Sequence, residues 1–136
     1  MQMDQSGWQT VRSALVVCGA LIAAAALTCA AQAAGPFDGT YIGTAVLLSG
    51  NNGAICKTFS TSIAVTDGHL TYVHGAGYAV IHTDVGADGS FSGSALLHGY
   101  KTPVMETLTG KASDSGIEAD AGGPYCKYRL TLRKQQ

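Results

Sequence analysis

Beyond residue 34 the apolar and polar positions alternate with a period of two, and no window shows a helical period of 3.6. The clearest run sets Cys126, Tyr128, Leu130 and Leu132 against Lys127, Arg129, Thr131 and Arg133. Such a run predicts an antiparallel strand with one face buried and the other in water. Phe59, Thr61, Ile63 and Val65 alternate in the same way with Ser60, Ser62, Ala64 and Thr66. Phe91, Gly93, Ala95 and Leu97 do so with Ser90, Ser92 and Ser94. Asp67-Gly68 and Asp88-Gly89 punctuate these runs, and Asp114-Ser115-Gly116 is a looser version. Asp-Gly suits the positive φ angles of tight hairpin turns. Gly75-Ala76-Gly77 marks a further turn, and residues 51–53 and 100–103 mark longer loops.

The pattern predicts strands at about 38–48, 55–66, 69–74, 78–85, 89–97, 104–112, 116–121 and 125–133. The connections are short, so sequential neighbours are expected to pair. The fold class is therefore all-β: about eight antiparallel strands in an up-and-down meander, closing or nearly closing into a small barrel after an N-terminal signal helix. Gly43, Ala45, Gly93 and Ala95 are small enough to allow tight curvature. Residues 38–48 also echo residues 88–97 at an offset of 50, which suggests a four-strand unit used twice.

The first 33 residues follow a different rule. A polar start with Arg12 precedes an apolar run from Ala14 to Leu27, and Ala31-Gln32-Ala33 supplies small residues at the −3 and −1 positions of a cleavage site. Together these are the parts of a secretory signal peptide, with cleavage expected after Ala33 or Ala34. The domain organisation is then 1–33 signal peptide and 34–136 a single barrel-like domain, exported to the periplasm or secreted. Two rivals fit less well. Residues 13–37 carry no charge and are long enough for an uncleaved anchor, but the alanine-rich run and small-residue end favour cleavage. Cys29 would suit lipidation only with Leu three residues before it, where Ala26 stands. No stable membrane span is expected after cleavage, and a transmembrane barrel is disfavoured by Lys127, Arg129 and Arg133 on an outer face.

Cys18 and Cys29 leave with the signal peptide, so Cys56 and Cys126 remain as an even pair in an oxidising compartment. A disulfide between them is expected. In a closed barrel the second and eighth strands both flank the first and run the same way, which puts the two cysteines at one end. Closing a loop of 70 residues stabilises by roughly 4 kcal/mol in the chain-entropy model. Residues 34–136 hold seven Lys and Arg against eight Asp and Glu. A net charge near −1 argues against nucleic acid as a partner.

The motifs Asp38-Gly39-x-Tyr41-x-Gly43, Asp88-Gly89-x-Phe91-x-Gly93 and Cys126-x-Tyr128-x-Leu130-x-Leu132 resemble those of a group of small exported β-rich bacterial proteins of unknown role. The resemblance covers nearly all of the expected mature chain. It implies location and architecture, with no activity to carry over.

Few residues invite chemistry. Of four histidines, His69 and His82 would lie nearly opposite each other across a hairpin turning at 75–77, where paired imidazoles could hold zinc or copper. No H-x-H, C-x-x-C or carboxylate cluster completes a ligand set, so scattered surface histidines are the plainer expectation and no metal or cofactor is implied. Glu106 shares a strand face with Val104, Leu108 and Gly110. If that face points inward, a carboxylate enters the barrel, where it needs a partner or a raised pKa. The plainer expectation is a rim position near Pro103, or a bulge turning Glu106 outward. No serine stands in G-x-S-x-G or S-x-x-K, and no glycine-rich loop precedes a helix, so an enzyme is not expected.

The expectation is a non-enzymatic binding module for a protein or a small molecule, an inhibitor of an extracytoplasmic hydrolase being one form. The alternatives are a structural envelope-associated protein and a periplasmic metal binder through His69 and His82. The large inward residues Tyr41, Phe59, Tyr72, Phe91, Tyr128 and Leu130 favour a filled core, which shifts recognition to the loops at 49–55 and 99–103.

Overall fold

Alternating side chains leave one face of each strand apolar, and eight such faces can be buried together only by curling the sheet on itself. A computed structural model describes residues 35–50, 56–75, 78–98 and 102–136. The expected signal peptide, Cys18 and Cys29, the glycine loop at 51–53 and Ala76-Gly77 lie outside the described residues, as do most of the loops proposed for recognition.

The strands are β1 (Gly39–Gly50), β2 (Phe59–Thr66), β3 (His69–His74), β4 (Ala79–Asp84), β5 (Ser90–Leu97), β6 (Val104–Ala112), β7 (Gly116–Gly122) and β8 (Cys126–Lys134). They form one antiparallel sheet in the order β4-β3-β2-β1-β8-β7-β6-β5. This is the expected meander, curled into a nearly closed barrel. β1 lies between β2 and β8: Tyr41 pairs with Ile63 on one side and Lys134 on the other.

The edges β4 and β5 meet without a regular ladder. The Thr83 hydroxyl donates to the Ser92 carbonyl at 2.7 Å, and the His98 N–H donates to the Tyr78 carbonyl at 3.0 Å. Gly93 permits this approach, because a Cβ there would lie 2.8 Å from the Ile81 methyl Cγ2. Asp88-Gly89 accordingly does not form a two-residue hairpin. It turns the chain across the gap, the Gly89 N–H donating to the Gly86 carbonyl at 2.8 Å. Asp67-Gly68 does form the tight turn, with φ of 52° and 78°.

β2 begins at Phe59, four residues later than the expected 55. Just ahead of it, Thr58 Oγ1 accepts the Leu47 N–H at 3.0 Å, so a side chain takes a bond that a ladder carbonyl would have made. Cys56 is joined to Cys126 as expected, with Cα atoms 5.8 Å apart.

The core runs through Tyr41, Ile63, Val65, Leu70, Tyr72, Ile81, Phe91, Leu108, Ile117, Leu130 and Leu132. One end is plugged. Phe37 packs on the core there, and its carbonyl accepts the Tyr41 hydroxyl at 2.6 Å. The Asp38 carboxylate accepts the N–H groups of Gly35, Asp67 and Gly68 at 2.9–3.0 Å, clasping the β2–β3 turn to the start of β1. Those bonds, from Gly68 first, hold its pKa below the usual 3.8. Among the described residues no helix is long and apolar enough to cross a membrane.

Candidate functional site

Among the described residues the opposite end of the barrel is open, and the reason lies in strand pairing. β2 is laddered to β1 from Phe59 onward but to β3 only from Ile63, opposite Tyr72. The first four residues of β2 therefore stand away from β3 and leave a split in the wall. A cavity of about 910 Å³ occupies this end. Residues from both faces of β2 line it, inward Phe59 and Thr61 and outward Ser60 and Ser62, so it continues through the split to the outer surface. The expected filled core holds at the plugged end only. Phe59, one of the large residues expected to fill it, is half-buried.

Glu106 lines this cavity and is 3% exposed. The rim and bulge expectations are both corrected. The ladder from Leu97↔Val104 to Ser90↔Lys111 runs without interruption past Ala95↔Glu106, so strict alternation carries the carboxyl inward with Val104 and Leu108. Gly123 lies across the strand, and a Cβ there would come within 2.8 Å of Glu106 Oε1. Oε2 is buried with no hydrogen-bond partner among the described residues. Burial raises the Glu106 pKa from 4.5 to about 6.

His74, expected among the scattered surface or rim histidines, is the second buried polar side chain at this end, at 8% exposure. It continues the inward series Leu70, Tyr72, His74 along β3, and that period-two spacing was the available signal. Its ring stands among three aromatic rings: Phe59 and Tyr72 each at 5.9 Å, and Tyr128 at 5.7 Å between centroids. Phe59 and Tyr128 meet edge to face at 5.1 Å. The Tyr72 hydroxyl is hydrogen-bonded to His74 Nδ1 at 3.1 Å. Burial pushes the His74 pKa below 6.5, so the imidazole is neutral at pH 7. Burial likewise raises the Tyr72 phenol, which stays protonated.

His69 and His82 are exposed on the outer face, away from this cavity. They are not opposite each other. The β3–β4 register pairs His69 with Asp84 and His82 with Thr71, a displacement of two residues. Each is satisfied by that neighbour, His69 Nδ1 by the Asp84 carboxylate at 2.5 Å and His82 Nδ1 by the Thr71 hydroxyl at 3.1 Å. Among the described residues no three His, Cys, Asp or Glu side chains gather in a metal-binding group.

The arrangement offers a pocket walled by aromatic rings and small polar side chains, with one buried carboxyl of raised pKa, the composition of a small-molecule site. No model of a known protein family, no curated protein and no solved structure matches the chain. The functional reading thus rests on the cavity itself.

Proposed function

We propose that the chain is an exported, non-enzymatic binding barrel that admits a small, largely apolar molecule through its open end. Glu106 carries the reading. A carboxyl group 97% withdrawn from solvent, with an oxygen that has no partner among the described residues, is costly to keep unless something else bonds to it. Here it faces a cavity large enough for a ligand and walled by Phe59, Tyr128 and His74. Export is supported by the Ala31-Gln32-Ala33 end of the apolar run and by the Cys56–Cys126 bridge, which suits an oxidising compartment.

The test is thermal unfolding with three fluorescent compounds of one body and different heads: naphthylethanol, naphthylethylamine and naphthylpropionate. A ligand that binds only the native state raises its stability, by about 2.7 kcal/mol at a hundred times Kd. At least one compound is expected to raise the midpoint. Thr61→Trp, which fills the cavity from β2, is expected to abolish that rise. No rise with any compound, or an equal rise in folded Thr61→Trp, overturns the proposal.

A further inference from the structure

Among the described residues, the open end holds a buried negative group and no buried positive one to answer it. Glu106 forms no ion pair among the described residues, and its Oε2 has no donor. The other inward ionisable side chains at this end are Tyr72 and His74 from β3 and Tyr128 from β8. The flanking strands add none: β5 contributes Ala95 and Leu97, and β7 contributes Ala121. His74 is neutral at pH 7 because burial disfavours its cation. Lys57 and His98 also line the cavity, and both are exposed. Among the described residues the carboxylate therefore has no buried countercharge in this pocket.

Rings and a buried carboxylate together define a ligand class. The face of a phenyl or phenol ring carries negative potential and attracts a cation placed within about 6 Å. An ammonium group also supplies the N–H donors that Oε2 lacks, and its hydrogen bond to a carboxylate is of the stronger, charge-assisted kind. An anionic head would meet Glu106 as a like charge. A neutral head leaves the carboxylate charge uncompensated after the ligand has expelled water from the cavity.

We propose that the molecule this cavity takes is a small organic cation, an ammonium on an apolar or aromatic body. Its head lies on Glu106 and its body against Phe59 and Tyr128. The inference rests on the proposal that the cavity binds a small molecule, and it names the class.

Fluorescence titration at pH 7.5 separates the two claims. Naphthylethylamine is expected to bind at least tenfold more tightly than naphthylethanol, and naphthylpropionate more weakly than either. Glu106→Gln keeps the shape and removes the charge. It is expected to weaken the amine at least tenfold and to change naphthylethanol less than twofold. If the alcohol binds as tightly as the amine, or if Glu106→Gln leaves the amine unaffected, the cation assignment is wrong while the binding cavity stands. If none of the three binds, both fall. The comparison of heads on the wild-type protein decides the question even where the variant folds poorly.

Discussion

Replacing Glu106 by glutamine should reshape the dependence of stability on pH. In the folded protein the carboxyl titrates near 6, whereas its ordinary value is 4.5. Between those values the native state keeps a proton that the unfolded chain has released, so raising the pH favours unfolding. The difference between 4.5 and about 6 is worth about 2 kcal/mol once the pH is well above 6. This is an upper figure, because water entering by the open end screens the charge. His74 works the other way. Its folded pKa is lowered, so the stability it costs is incurred as the pH falls through 6.5. The wild-type profile alone mixes the two, and the informative quantity is Glu106→Gln minus wild type. Urea unfolding at pH 4, 5, 6, 7 and 8 gives it at each point. The amide at position 106 still requires a partner, but that cost is the same at every pH and drops out of the trend. The variant is expected to gain on the wild type from pH 4.5 upward, by up to about 2 kcal/mol, and to level off above pH 7. A flat difference, or one that falls with pH, would refute the placement of Glu106 as a buried and uncompensated carboxylate.

Export, the disulfide and the β1–β8 contact can each be tested. Protein recovered from outside the cytoplasm should begin at Ala34 or Gly35 by intact mass and carry no free thiol. Reducing its Cys56–Cys126 bridge should lower stability by up to about 4 kcal/mol, read as a fall in denaturant midpoint, and an unchanged midpoint would count against the bridge as a structural staple. Gly43→Ala should destabilise by about 2 kcal/mol, because a Cβ there overlaps the Thr131 carbonyl and the Leu132 backbone across the β1–β8 ladder. An unchanged midpoint in Gly43→Ala would show that the two strands are farther apart than described.

Much of the fold was legible because period two is a strong signal when one face is wet. In β8, Tyr128, Leu130 and Leu132 are buried while Lys127, Arg129 and Arg133 are exposed, as their alternation requires. The cysteine pairing was legible for a topological reason, since a meander that closes must bring β8 beside β1. What was hidden depended on register and strand length, which composition does not encode. His69 and His82 were expected to face each other, but the β3–β4 register sets each beside a different neighbour. The gap between β4 and β5 had no signal beyond Gly93, one small residue among several. Glu106 was visible as an inward candidate, yet apolar neighbours are compatible with a bulge as well, and only the continuous β5–β6 ladder decides between them. His74 was grouped with surface or rim histidines because histidine is ordinarily a surface residue, although its spacing from Tyr72 already placed it inside.

The expected filled core stops short of one end of the barrel, for a reason that also explains the site. Large inward residues fill a barrel only as far as its wall extends. β1 has 12 residues and β8 has nine, while β3 and β4 have six each. At about 3.3 Å per residue, one side of the wall is nearly twice as long as the other. The β2–β3 ladder stops at Ile63↔Tyr72, two residues before β3 ends at His74, so the first four residues of β2 have no β3 partner, and Phe59 and Thr61 face the cavity. Glu106 lines the same cavity rather than packed hydrocarbon, where an unpaired carboxylate would be far more costly. The plugged end, with Phe37 on the core and Asp38 clasping the β2–β3 turn, concentrates tight packing where no ligand enters. A barrel built this way can hold an unsatisfied charge at one end because its order is secured at the other, so changes at Asp38 should alter stability and leave ligand affinity unchanged.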